Sequence, residues 1–158
     1  MRLRNLVVVS PDVGASKAAR AYAKHLKCRL AIIDKRRPRP NAVEEMILIG
    51  NVRGKIALLI DDICDTAGTL TKAAEKLIEK GALKVIAVCS HALLSDNAAK
   101  RIARSPISVI LFADTVRIST KKLAILRKKA KIVPTDWLFA EGIKRIHEEG
   151  PFEELFVS

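Results

Sequence analysis

Along the chain, short aliphatic runs alternate with segments whose apolar residues recur every three or four positions. LVVV at 6–9 stops at Ser10-Pro11-Asp12 and reads as a buried strand. Ser16 is placed to cap a helix with Ala19, Tyr22, Ala23 and Leu26 at helical spacing. LAII at 30–33 and MILI at 46–49 predict two more strands. Between them DKRRPRPN, 34–41, cannot be regular, because Pro38 and Pro40 each remove a donor and hold the preceding residue extended. IALLI, 56–60, is a continuous apolar run, the pattern of a parallel strand covered on both faces. Thr69 can cap a helix whose apolar stripe is Leu70, Ala73, Ala74, Leu77 and Ile78, with Gly81 as its stop. VIAVC at 85–89 and VILF at 109–112 predict two further strands, with a helix near 96–104 between them. The last helix is predicted over 135–149, with Thr135 as cap, Phe139, Ile143 and Ile146 on one face, and Gly150-Pro151 as terminator.

This alternation predicts an α/β fold with a mostly parallel sheet flanked by helices. The 158 residues form one domain, 1–158, with no linker long enough to divide it and no internal repeat. No apolar run approaches the length of a membrane span. Three cysteines, an odd number without CxxC spacing, fit a reduced, cytoplasmic protein. The three histidines are far apart and give no zinc-ligand spacing. His91 falls near the expected ligand edge, where a structural role is expected of it.

Charge narrows the partners. Lys and Arg number 29 against 17 acids, a formal net charge of +12, which favours anionic ligands. Aromatic residues make up only 4%, which argues against a stacking platform for nucleic acid. Residues 117–131, RISTKKLAILRKKAK, hold seven basic residues and no acid, and read as a solvated connector.

In open α/β sheets, ligands sit at the carboxyl ends of the strands. Three unusual stretches fall there: Ser10-Pro11-Asp12-Val13-Gly14-Ala15, the basic loop 34–41, and Asp61 to Thr69. In LLIDDICDTAGTL, Gly68 and its small neighbours let backbone N–H groups approach a ligand, and a helix start adds free N–H groups and a positive dipole end. That is a phosphate cradle. Asp61 and Asp62 would be repelled by phosphate, but can accept hydrogen bonds from sugar hydroxyls or reach Mg²⁺ through its waters. A pentose 5-phosphate meets both demands. A Walker B strand would need a GxxxxGK[ST] loop, which the chain lacks.

Taken together, VVVSPDVGASKAARAYAKHL, LAIIDKRRPRPN, GNVRGKIALLIDDICDTAGTL and, more weakly, LFAEGIKRIHEE resemble the C-terminal half of the ribose-phosphate pyrophosphokinase (PRPP synthetase) family, over about residues 6 to 156. DDICDTAGT alone is shared with phosphoribosyltransferases; IIDKRRPRPN beside it is specific to the synthetases. The resemblance implies a type I phosphoribosyltransferase-like fold. It also implies transfer of the β,γ-diphosphoryl group of Mg-ATP to the C1 hydroxyl of ribose 5-phosphate, giving PRPP and AMP. On that resemblance, Asp61 and Asp62 would hold the ribose hydroxyls, while Asp65, Thr66, Ala67, Gly68 and Thr69 would cradle the 5-phosphate. Asp12, Val13, Gly14 and Ala15 would form the pyrophosphate loop, with Asp12 helping to hold Mg²⁺, and Lys35 and Arg37 would be catalytic.

The pattern departs from the family in four places. The family's N-terminal half, which carries most adenine contacts, a further metal-sharing histidine and much of the oligomer surface, is absent. That absence implies an N-terminal half or full-length synthetase chain as partner, within a homo- or hetero-oligomer. Ala15 stands where many members have glycine, which is costly only at positive φ. GPFEELF places Glu153 and Glu154 where some members bind an allosteric phosphate. The run 117–131 is unusually basic. Two alternatives stay open beside the synthetase. One is a non-catalytic associated subunit that binds ribose 5-phosphate or PRPP, and the other is a stand-alone phosphoribosyltransferase. Nucleic acid is not an expected partner.

Overall fold

The computed structural model describes residues 5–36 and 45–156. The aliphatic runs become β1 (Leu6–Ser10), β2 (Arg29–Arg36), β3 (Glu45–Ile49), β4 (Ile56–Ile63), β5 (Lys84–His91) and β6 (Ile107–Ala113). The helices are α1 (Ser16–His25), α2 (Gly68–Glu79), α3 (Ala98–Arg104), α4 (Thr120–Leu126) and α5 (Asp136–His147), with β7 (Ala130–Val133) between the last two. The sheet runs β3-β2-β1-β4-β5-β6-β7, and among its pairings only β2–β3 is antiparallel.

Strand alternation divides the core. Val7, Val9, Ala57, Leu59, Val85 and Ala87 share one buried cluster with Leu70, Ala73, Ala74 and Leu77 of α2, Ile102 of α3 and Leu126 of α4. Val8 and Ile60 point the other way and pack on Ala19 and Ala23 of α1. Crossover handedness explains the division. The steps β4–α2–β5, β5–α3–β6 and β6–α4–β7 all move in one direction across the sheet, while β1–α1–β2 moves in the other. Right-handed connections then put α1 on the opposite face from α2, α3 and α4.

Several expectations shift. The basic run 117–131 is not a bare connector: it folds into α4 and β7. Leu126 is buried in the core, and Lys129 Nζ donates to the carbonyls of Ile102 (3.2 Å) and Ser105 (2.7 Å) at the end of α3. Lys129 therefore supplies the cation that the free carbonyls of a helix C-terminus favour. Helix α1 starts at Ser16 itself, with Ala15 as its N-cap residue, and its Tyr22 and Leu26 remain exposed. Helix α2 starts one residue before Thr69, so Thr69 lies in its first turn and Ala67 is the N-cap. Strand β4 outlasts its apolar run by three residues, because Asp61 and Ile63 continue to pair with Cys89 and His91 of β5. No helix among the described residues is long and apolar enough to cross a membrane.

Neighbouring positions on α2 test the core assignment. Leu77 is fully buried while Ile78 is 39% exposed. In urea denaturation, Leu77→Ala is expected to cost about 2–5 kcal/mol and Ile78→Ala no more than about 1 kcal/mol.

Candidate functional site

β1 and β4 lie side by side in parallel, with Val8 opposite Leu58 and Val9 opposite Leu59. Their chains leave in opposite directions, so a crevice opens at their carboxyl ends. The cavity there is about 240 Å³ and is lined by Asp12 from the loop after β1, Asp61 from β4, and Cys64 to Leu70.

The first loop is held by its own side chains. Asp12 Oδ1 accepts from the Ala15 N–H at 2.9 Å, and Ser10 Oγ donates to the Asp12 carbonyl at 2.6 Å. Ala15 has φ −77°, so alanine is unstrained there. A Cβ on Gly14 would come within 3.3 Å of Asp12 Oδ1, which is the reason glycine suits that position.

The second loop is a tight turn into α2. Ala67 has φ +61°, a left-handed conformation that costs a non-glycine residue about 1 kcal/mol. The turn is nevertheless secured from several sides. Thr71 Oγ1 donates back to the carbonyls of Ala67 (2.8 Å) and Gly68 (3.2 Å). Arg101 of α3 donates to the Thr66 carbonyl at 2.9 Å. The Cys64 N–H donates to the His91 carbonyl, and the Leu94 N–H donates to the Cys64 carbonyl. A Cβ on Gly68 would meet only Thr66 Oγ1, at 3.8 Å, so packing within the protein does not demand glycine there. The backbone there stays open to the cavity. The first N–H groups of α2, which have no helical acceptor, open at this point.

Lys35, near the end of β2, joins the two loops. Its Nζ donates to Thr69 Oγ1 at 3.1 Å and stands 3.8 Å from Asp12 Oδ2. The Asp12 carboxylate is 40% exposed, so this ion pair is worth at most about 1 kcal/mol. An arriving anion can take the lysine over at little cost. Arg37, the other predicted catalytic cation, lies outside the described residues.

Asp61 and Asp62 separate by strand alternation. Asp61 lines both the cavity beside the small-residue loop and a groove of about 540 Å³ bordered by Ala18, Ala21 and Tyr22 of α1 and Val88 and Ser90 of β5, whereas Asp62 is exposed and borders only that groove. Asp61 Oδ1 accepts from the Asp62 N–H (3.1 Å), and Asp62 Oδ1 accepts from the Ile63 N–H (2.8 Å). Burial pushes the Asp61 carboxyl up to about 6; the Asp62 N–H opposes the shift, and the charges of Asp62 and Asp12 add to it. Burial, with Asp61 and Asp65 nearby, pushes the Cys64 thiol up to about 12, and Cys89 likewise rises to about 12, chiefly by burial. Both are neutral thiols at physiological pH and are poor nucleophiles. His91 has a structural partner: its Nδ1 is 2.9 Å from Thr115 Oγ1, whose hydroxyl donates to the Ser90 carbonyl.

The model of the phosphoribosyl synthetase-associated domain family matches residues 36–157. This chain belongs to the phosphoribosyl synthetase-associated domain family. Two relatives named ribose-phosphate pyrophosphokinase show the same kinship. The one from Fusobacterium nucleatum is 47% identical over 151 residues, covering 96% of this chain and 47% of the relative. The one from Bacillus subtilis is 46% identical over 154 residues, covering 98% and 48%. The crystal structure of phosphoribosylpyrophosphate synthetase from Mycobacterium smegmatis superposes with a TM-score of 0.82 at 33% identity, over 92% of this chain and 46% of that one. The chain thus spans about half the length of the curated relatives it matches.

Within the pyrophosphokinase fold, Asp12, Asp61 and the 65–69 loop border one cavity, and Lys35 bonds across it. Arg101, which braces Thr66 from 35 residues away, carries no local sequence signal; only the placement of α3 beside α2 brings it there.

The raised Asp61 carboxyl makes a pH-dependent prediction. Its proton is held more tightly in the folded state than in the unfolded chain. Folding therefore loses stability as pH rises from about 4 to 6, and the ionised carboxylate remains a fixed cost above that window. Asp61→Asn is expected to stabilise the fold by roughly 1–2 kcal/mol at pH 7.5, allowing for the site's partial exposure, with the gain vanishing below about pH 4. Urea denaturation across that pH range measures it.

Proposed function

We propose that this chain is the catalytic C-terminal half of a ribose-phosphate diphosphokinase. It binds ribose 5-phosphate and transfers to its C1 hydroxyl the β,γ-diphosphoryl group of Mg-ATP, giving PRPP and AMP. The observation that carries this reading is Lys35, whose Nζ spans from the Asp12 loop to Thr69 in the phosphate cradle. A phosphate site alone would serve a phosphoribosyltransferase equally well. A cation delivered from the end of β2 to the seam between the two loops suits a diphosphoryl group in transit.

The reading assigns the roles as follows. The N–H groups at the start of α2, with the hydroxyls of Thr66 and Thr69, take the 5-phosphate. Asp61 accepts from a ribose hydroxyl, and Asp62 is assigned a second one from the adjacent groove. With the sugar anchored, its C1 oxygen attacks the β-phosphorus and loses its proton. The bond from that phosphorus to the α,β-bridging oxygen breaks, and AMP leaves. Lys35, with Arg37 assigned beside it, supports the negative charge on the non-bridging oxygens during this step.

The donor set also fits Mg²⁺. Mg²⁺ is commonly held by one or two carboxylates together with substrate phosphates. Asp12, 40% exposed and facing the same cavity as Asp61, is the residue that would hold it. When bound, the ion neutralises charge on the diphosphoryl oxygens. ATP itself needs further contacts, which the reading assigns to an N-terminal half.

A second reading, a non-catalytic subunit that binds ribose 5-phosphate or PRPP, needs only the cavity that Asp61 and the 65–69 loop border. AMP formation from ATP and ribose 5-phosphate separates the two, measured with the chain alone and with a co-expressed N-terminal half. The diphosphokinase reading expects AMP in the paired sample and a drop of about 10²–10³-fold in Lys35→Ala. Binding of ribose 5-phosphate by calorimetry without AMP leaves the subunit reading. Both readings expect Asp61→Asn to weaken that binding at least about 10-fold, and wild-type affinity to rise as pH passes through about 6, where Asp61 ionises. No binding at all overturns both.

A further inference from the structure

Helix α3 lies beside α2 and carries more cations than the fold uses. Lys100, Arg101 and Arg104 share its acid-free sequence AAKRIAR, and with Asn97 they line a recess of about 370 Å³. Asn97 with Arg101, and Lys100 with Arg104, are i, i+4 pairs, so the four side chains occupy one narrow arc of the helix. Among the described residues none of the three cations joins an ion pair. Lys100 and Arg104 repel each other across one turn, an arrangement that destabilises a helix. The structural uses of such residues are already filled. A helix C-terminus favours cations, but Lys129 meets the carbonyls of Ile102 and Ser105 there. Asn97 stands at the cap position, yet its side chain makes no cap bond and lines the recess instead. Of the three cations, only the Arg101 side chain has a hydrogen-bond partner among the described residues. That partner belongs to the phosphate cradle: Arg101 Nη1 donates to the Thr66 carbonyl at 2.9 Å.

We propose that Asn97, Lys100, Arg101 and Arg104 bind a diphosphate group, free or at the end of a nucleotide, and that its binding weakens the hold of the 65–69 loop on an anion of its own. For the identity of that second anion the inference rests on the ribose 5-phosphate reading above. Charge selects the ligand. A single phosphate, at about −1.5 to −2, leaves a cation unbalanced, whereas two joined phosphoryl groups match all three. Arginine offers forked donors and lysine a point charge. No aromatic side chain lines the recess, so it is not a stacking platform for nucleic acid. Arg101 couples the recess to the cradle. A phosphoryl oxygen accepts a hydrogen bond about twice as strongly as a neutral carbonyl, so the diphosphate takes the guanidinium from Thr66. The turn at Thr66 to Gly68 then loses the brace that α3 gives it, and the two anions repel each other across it. The coupling is reciprocal, so an anion in the cradle weakens diphosphate binding by the same factor.

Calorimetry on the full chain tests the site, with inorganic diphosphate and uridine diphosphate as probes. Magnesium is left out, so that Asp12 recruits neither probe through a metal. Binding of both assigns the diphosphate group alone, and binding of one assigns the free anion or the nucleotide. The double variant Lys100→Ser/Arg104→Ser is expected to weaken this binding at least about 10-fold. Its circular dichroism and melting are expected to match or exceed those of the parent, because it removes a like-charge pair from an exposed face. Amide hydrogen exchange at Thr71, whose N–H bonds to the Ala67 carbonyl at 3.0 Å, reads the coupling without any sugar. Diphosphate is expected to speed that exchange in the parent and not in the double variant. Saturating diphosphate is expected to weaken ribose 5-phosphate binding at least about 5-fold in the parent and not in the double variant. The inference is overturned if neither probe binds, if the double variant binds undiminished, or if bound diphosphate leaves Thr71 exchange unchanged or slows it. Ribose 5-phosphate binding that diphosphate does not alter removes the inference and leaves the functional reading. Diphosphate held by α3 with faster Thr71 exchange, in a chain that binds no ribose 5-phosphate, removes that reading and leaves the inference.

Discussion

The parallel pairing of β1 with β4 is the constraint on which the site depends. Val8 opposite Leu58 and Val9 opposite Leu59 bring two strands to a common carboxyl edge, and the flanking crossovers run apart from it. The loop bearing Asp12 and the loop bearing Asp65 to Thr69 therefore meet without any contact being specified between them beforehand. Burial on both faces makes a slip costly, because one residue would exchange Val8 with Val7 and Val9 between two different cores. Register is thus set by packing, and the cavity inherits its geometry from the core.

Within that frame the site carries strain. Ala67 holds a positive φ, and Asp61 is a half-buried carboxylate close to two others. Lys35 offsets this only in part, since it is 3.8 Å from Asp12. Such an arrangement costs stability in the free protein. The strain is held by remote bonds, notably Arg101 to Thr66 and Thr71 to Ala67, so loosening α3 or α2 would reach the cavity.

Much of this was legible in the chain. The aliphatic runs gave six strands, and small residues beside paired acids marked the cradle. What escaped was what depends on tertiary context. β7 has four residues, three of them exposed, inside a stretch whose seven basic residues read as solvated. Lys129 is there to meet the carbonyls at the end of α3, a demand visible only once α3 has been placed. The apolar run of β4 stops at Ile60, yet pairing to β5 carries the strand through both acids, and this is what turns Asp61 into the cavity and Asp62 away from it. Periodicity found the stripe on α5 but could not say that nothing within the described chain would cover it.

The cavity offers donors and acceptors for a sugar phosphate, all from within this chain. At the diphosphoryl end it offers Asp12 and Lys35, a carboxylate and a cation weakly paired with each other. A nucleotide triphosphate also needs its base and its α-phosphate held, or the reacting phosphorus will not stay aligned with the C1 oxygen. Alignment of that kind comes from a second rigid body, and a second body needs a surface that fixes its position. On the diphosphokinase reading proposed above, the sugar phosphate is held by this half and the nucleotide by that second body.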